Sequence, residues 1–201
     1  MAVLQLALDP FLALPQGFEY RAKLVSAEHE TALLENFREL DFKEFEFHGF
    51  RGNRRVVSFG LHYDFNAGRV GETEAIPAFL LPLREMAAGF ARIDPAELGH
   101  ALVTEYTPGA GIGWHRDRSV FQDVIGISLV SPCRFRFRRR RGNGWERASL
   151  ILDPRSIYLL RGPARTQWQH SIPPGEHLRY SVTFRSVKLP TARAQLAPSP
   201  A

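Results

Sequence analysis

The sequence predicts an α+β fold, mainly β, with a sandwich, barrel or jelly roll at its centre and helices packed on the outside. Three observations predict it. From His100 onward the chain reads as about eight short β-rich segments, parted by Pro-Gly, Arg-Gly-Asn-Gly, Asp-Pro and Pro-Pro-Gly turns. Ahead of them stand two stretches with apolar residues at helical spacing. A chain of 201 residues, 44% hydrophobic, can bury one substantial core, so a single domain over 1–189 is expected.

Taken in order, the opening "MAVLQLALDPFLALPQG" is apolar but lacks a basic leader region and is broken by Pro10 and Pro15. It reads as a strand or arm packed on the domain rather than a signal. No stretch has the length of a transmembrane helix, so a soluble protein without a membrane partner is expected. Ser26 is placed to cap a helix in which Ala32, Leu33, Phe37 and Leu40 follow helical spacing. The second helix lies in "AIPAFLLPLREMAAGFARI", where Pro82 marks an early turn or a kink. Between the two, "DFKEFEFHGFRGNRRVVSFGLHYDF" is aromatic and β-branched, with Gly49, Gly52-Asn53 and Gly60 as punctuation, and predicts short strands or a hairpin.

The β-rich half follows as "ALVTEY", "WHRD", "VIGISLV", "CRFRFRR", "ERASLIL", "SIYLL", "QWQHSI" and "RYSVTFRSV". "CRFRFRRRRGNGWERASLIL" reads as a hairpin in which Phe135 and Phe137 alternate with Arg134, Arg136 and Arg138. One face is then buried and the other carries a comb of guanidinium groups, either a solvated face or a phosphate-contacting one. The tail "PTARAQLAPSPA", residues 190–201, is expected to be disordered.

Charge and cysteine usage narrow the function. Lys and Arg number 26 against 21 Asp and Glu, a formal net charge of +5, which favours polyanionic partners. A lone cysteine, Cys133, excludes an internal disulfide framework and a cysteine-based zinc cluster, and fits a reducing cytoplasm.

The chemistry centres on "GWHRDRS". Residues i and i+2 of a strand share a face, so His115 and Asp117 can present an imidazole and a carboxylate to one point. A two-histidine, one-carboxylate site needs one more ligand, from His29, His48, His62, His100, His170 or His177. His170, in a late strand, is placed best. In "RYSVTFRSV", Arg179, Ser181, Thr183 and Arg185 share one strand face, where two arginines can receive a dicarboxylate.

These residues carry a resemblance. "EYTPGAGIGWHRD", "FQDVIGISLVSP", "QWQHSI" and "RYSVTFR" resemble the AlkB-like family of Fe(II)- and 2-oxoglutarate-dependent dioxygenases, over roughly residues 54–187. The resemblance implies a double-stranded β-helix, a jelly-roll variant, with its catalytic core at 100–187 and a substrate lid at 40–75. It makes His115, Asp117 and His170 the iron ligands, and Arg179, Arg185, Tyr106, Thr104 and Ser181 the neighbours of 2-oxoglutarate. Trp114, His62, Tyr63, Ser119, Arg54 and Arg55 become candidate substrate contacts. The implied reaction consumes O2 and 2-oxoglutarate, and removes alkyl groups from bases of single- or double-stranded DNA or of RNA. Thr104 departs from the family's repair members, which commonly have Asn there, and Ser119 from the bacterial repair prototype, which has an acidic residue there. Hydroxylation or demethylation of tRNA, protein or a small molecule at the same iron site is therefore the alternative, and a non-catalytic binding module a third reading. A monomer is expected.

Overall fold

The computed structural model describes residues 14–47, 50–64, 69–72 and 74–187, except for the side chains at 46–52 and 62–73. The tail at 190–201, most of the N-terminal arm, and His48 lie outside the described residues, as do the side chains of His62 and Tyr63.

The strands are β1 (Phe18–Arg21), β2 (Lys43–Phe47), β3 (Phe50–Asp64), β4 (Arg69–Glu72), β5 (His100–Tyr106), β6 (Ile112–His115), β7 (Phe121–Leu129), β8 (Cys133–Arg141), β9 (Gly144–Leu152), β10 (Ser156–Leu160), β11 (Gln169–Ile172) and β12 (Arg179–Val187). The helices are α1 (Ala27–Phe37), α2 (Leu81–Ala91) and α3 (Gly162–Thr166). Among the described residues, the larger sheet has the order β1-β10-β7-β12-β5-β3-β2 with β4 on β3, and the smaller the order β6-β11-β8-β9. Every neighbour pairs antiparallel, and the jelly-roll expectation holds.

Ser26 caps α1 by accepting from the His29 amide at 3.1 Å. Pro82 falls in the first turn of α2, after a 3-10 turn at Ala78–Leu80, where a missing N–H costs nothing. "WHRD" does not form one strand: β6 ends at His115, and Asp117 lies in the loop beyond it. α3 has no counterpart in the sequence reading. Its five residues are too few to show helical periodicity.

Strand alternation sorts the larger sheet into two faces. Val103, Ile125, Ile127, Ile157, Leu159, Val182 and Phe184 turn outward to pack against Leu33 and Phe37 of α1 and Leu83, Ala87 and Ala88 of α2. The opposite face looks into the space between the sheets, where Tyr106, Val124, Tyr158 and Leu160 meet Phe135, Phe137 and Ile172 of the smaller sheet. Residues 54–60 of the expected lid are a body strand, in register with Tyr106 to His100 of β5.

Candidate metal centre and co-substrate pocket

Three side chains are brought together by pairing in the smaller sheet and by one loop. β11 runs between β6 and β8, and its His170 stands directly opposite His115 on one side and Phe137 on the other. The imidazole centroids of His115 and His170 lie 4.2 Å apart. Phe135 stacks on His170 at 5.3 Å and forms a dry wall behind it. Asp117 reaches the pair from the loop after β6, which α3 holds: Arg165 donates to the Arg118 carbonyl at 3.1 Å, and Arg116 donates to the Thr166 carbonyl at 3.1 Å. One ligand atom from each of His115, Asp117 and His170 lies within 4.8 Å of the others.

The protonation states suit a cation. Burial alone would raise the Asp117 carboxyl, but Arg185, His170 and His115 hold it well below the ordinary carboxylate range. Burial is the first cause that depresses His170, which is pushed down to about 3 with help from His115 and Arg185 and against the pull of Asp117. Burial lowers His115 too. The Nε2 of His170 lies 3.6 Å from Oδ2 of Asp117, but a neutral imidazole makes this no ion pair. His115 donates from Nδ1 to the Gly113 carbonyl at 2.8 Å, which leaves Nε2 as a free acceptor. Arg185 donates to Oδ1 of Asp117 at 2.9 Å, while Oδ2 is buried with no hydrogen-bond partner. Two neutral imidazoles beside a half-satisfied carboxylate fit a divalent metal.

The neighbouring strand face fits a carboxylate. Arg179 is buried between the sheets, with Nε donating to the Ser128 hydroxyl at 3.0 Å and the guanidinium stacked over the Tyr106 ring at 4.8 Å. Its Nη1 is buried without a partner. A guanidinium so placed, with one donor held and one free, suits an anionic co-substrate. Thr104 and Ser181 face each other in register, both buried on this inner face.

The family model for the 2OG-Fe(II) oxygenase superfamily matches residues 19–185. The chain belongs to this superfamily. The oxygenase is 31% identical over 144 residues to the alkylated DNA repair protein ALKBH8 homolog of Arabidopsis thaliana, a match covering 60% of this chain and 42% of the relative. It is 29% identical over 172 residues to the tRNA (carboxymethyluridine(34)-5-O)-methyltransferase ALKBH8 of Mus musculus, covering 81% of this chain and 25% of the relative. It thus spans less than half the length of either. Among solved structures, that of OsALKBH1 superposes with a TM-score of 0.65 at 17% identity, covering 88% of this chain and 100% of that one, and shows the fold. No helix among the oxygenase's described residues is long and apolar enough to cross a membrane.

The oxygenase's other expected contacts divide. Arg54 lies in register with Tyr106 on the inner face, beside the site. Arg55 points the other way: it donates to Glu105 at 2.8 Å on the helix side of the sheet, where Tyr180 also donates to Glu105 at 2.8 Å. Alternation along β3 separates the two arginines, so Arg55 is not a contact at this site. Trp114 is likewise turned from the metal ligands, because it precedes His115 in β6, and its ring lies under Arg136 and Arg138 on the outer face of the smaller sheet. Ser119 is exposed in the turn before β7.

Sequence reasoning missed Ser128, which aims Arg179, and Tyr158, whose ring crosses the inner face of the sheet. Burial pushes the Tyr158 phenol above its ordinary range. A signal was there in Gly126: it stands opposite Tyr158, and an added Cβ would lie 2.2 Å from that ring. His100, a ligand candidate by residue type, has other partners. Its Nε2 lies 3.2 Å from the Ser58 hydroxyl and its Nδ1 3.3 Å from Nη1 of Arg185, so it braces the arginine that orients Asp117.

Proposed function

We propose that this chain is an Fe(II)- and 2-oxoglutarate-dependent dioxygenase that removes alkyl groups from nucleic-acid bases. The observation that carries the proposal is one inner surface holding both the His115, Asp117 and His170 cluster and the unpartnered Nη1 of Arg179. His115, Asp117 and His170 would hold the metal, and Arg179, with Tyr106, Thr104 and Ser181 around it, would hold 2-oxoglutarate. Iron and co-substrate, when bound, supply oxidation by O2. The protein's part is to orient, through Arg185 and the α3 clamp on the Asp117 loop, and to keep water out, through Phe135, Phe137 and Ile172. Arg54 and Ser119, with His62 and Tyr63 in the 40–75 segment, are the proposed substrate side. A nucleic-acid substrate is supported by the net charge of +5 and by relatives whose names specify DNA repair and tRNA modification. The lone cysteine supports a reducing, cytoplasmic setting.

A second reading, oxidation of tRNA, protein or a small molecule, is favoured by Thr104 and Ser119 and by the match to a tRNA-modifying relative. One screen separates the two: purified protein with Fe(II), 2-oxoglutarate and ascorbate is offered methylated single- and double-stranded DNA, tRNA and peptides. Loss of the methyl mass from an oligonucleotide establishes the first reading. Succinate release driven by tRNA, peptide or cell extract, with the oligonucleotides unchanged, establishes the second.

A further inference from the structure

The outer face of the smaller sheet carries an arrangement that the metal centre does not use. Arg138 lies between two indoles, 4.4 Å from the ring of Trp114 and 4.4 Å from that of Trp145. Arg136 covers Trp114 at 4.9 Å, and Arg140 covers Trp145 at 4.9 Å. The result is a ladder: Arg136, Trp114, Arg138, Trp145, Arg140. The Nε groups of Arg136 and Arg138 are already engaged, Arg136 donating to the Ser171 hydroxyl at 3.1 Å and Arg138 to Oε1 of Gln169 at 2.7 Å. Stacking holds the guanidinium planes and the Nε bonds set their rotation, so binding an anion costs little further ordering.

The charge on this face is one-sided. β8 places Arg134, Arg136, Arg138 and Arg140 outward, and β9 adds Arg147 beside the exposed Trp145. The outward positions of β6, β11, β8 and β9 carry no Asp or Glu. Arg139 and Glu146, both of opposite parity, pair with each other at 2.8 Å away from this face. The four arginines of β8 are no device against edge pairing, since β8 is an interior strand of the smaller sheet.

We infer that this ladder binds the phosphodiester backbone of single-stranded nucleic acid, with the guanidinium edges on phosphates and Trp145 stacking a base. Forked guanidinium donors match phosphate, and an exposed indole between them accepts any base without sequence preference. The ladder reaches β6, an edge strand, through Trp114, which faces outward, while His115, the next residue, belongs to the metal cluster. A strand held here is led to the edge of the catalytic pocket. The inference rests on the nucleic-acid reading of the substrate, but its test needs no turnover.

The experiment is fluorescence anisotropy of the whole protein with an unmodified, labelled single-stranded oligonucleotide, titrated at several salt concentrations. Arg140→Glu with Arg147→Glu is expected to weaken binding by roughly tenfold or more and to flatten the log–log salt slope by about 0.7 per arginine removed. Trp145→Ala is expected to weaken it by about fivefold or more. Arg38→Glu, an exposed arginine at the end of α1, stays within about twofold, and the melting temperature of each variant checks folding. Unchanged affinity in the folded ladder variants overturns the inference. So does an equal loss in Arg38→Glu, or displacement of the oligonucleotide by a glutamate-rich peptide as readily as by unlabelled nucleic acid. Failure of the dealkylation screen with this binding intact would remove only the catalytic reading.

Discussion

Arg185 donates from Nε to Oδ1 of Asp117 at 2.9 Å, and the remaining oxygen of that carboxylate is buried with nothing bonded to it. The arginine therefore orients the carboxylate and keeps it ionised, and the free oxygen is the one available to a metal. Arg185→Lys retains the positive charge and its repulsion of the metal but loses the planar donor. It is expected to weaken Mn(II) or Fe(II) binding by about tenfold, within the range for losing a partner that orients a metal ligand. Anaerobic calorimetry measures it, and an unchanged dissociation constant would refute the orienting role.

Acid should destabilise the metal-free protein earlier than ordinary carboxylates would. His170 is depressed from 6.5 to about 3, so between those values the unfolded chain binds a proton that the folded chain refuses. Stability then rises with pH across that window and is lost as pH falls, by up to about 1.4 kcal/mol per pH unit. Asp117, depressed from 3.8, adds a loss of the same sign at still lower pH. Denaturant midpoints at pH 7.5 and 5.5 should differ, and His170→Gln should shrink the difference. A flat response in the wild type would show that His170 titrates normally.

Ser128 holds Arg179 by a 3.0 Å bond from Nε, and Nη1 is buried without a partner. Ser128→Ala should raise KM for 2-oxoglutarate roughly three- to tenfold, the size of one hydrogen bond, and leave metal affinity unaltered. Equal damage to both would instead mean a collapse of the inner face.

Arg54 and Arg55 are neighbours on opposite faces of β3. Arg55→Ala leaves Oε1 of the buried Glu105 unpaired, with Tyr180 still on Oε2, so it should lower stability by about 1–2 kcal/mol and leave substrate KM unchanged. Arg54→Ala should do the reverse. Melting curves and steady-state kinetics on the pair decide it, and a KM effect from Arg55→Ala would contradict its place on the helix side.

Gly126→Ala puts a Cβ 2.2 Å from the Tyr158 ring. The overpacking should cost about 1–3 kcal/mol, and Tyr158→Leu should relieve most of it in the double variant. Additive losses would show that the strain lies elsewhere.

Much of this protein is legible in its residues taken in order. The eight late strands, the Ser26 cap, the first-turn Pro82 and the alternation of Phe135 and Phe137 with arginines are local, because helical and strand periods and turn chemistry act over a few residues. The grouping of His115, Asp117 and His170 was legible too, through residue types and order, whereas Arg185, expected beside 2-oxoglutarate, donates to Asp117. What the tertiary structure decided is non-local. The pairing of β11 between β6 and β8 set His170 against His115, and α3 with Arg185 brought Asp117 to them from outside the strand. Ser128 and Tyr158 became visible as neighbours of Arg179 only when β7, β10 and β12 lay side by side. Strand parity placed Arg54 on the inner face, Arg55 on Glu105 and Trp114 in the outer ladder, because a side chain's face depends on the register of the sheet and not on its residue type.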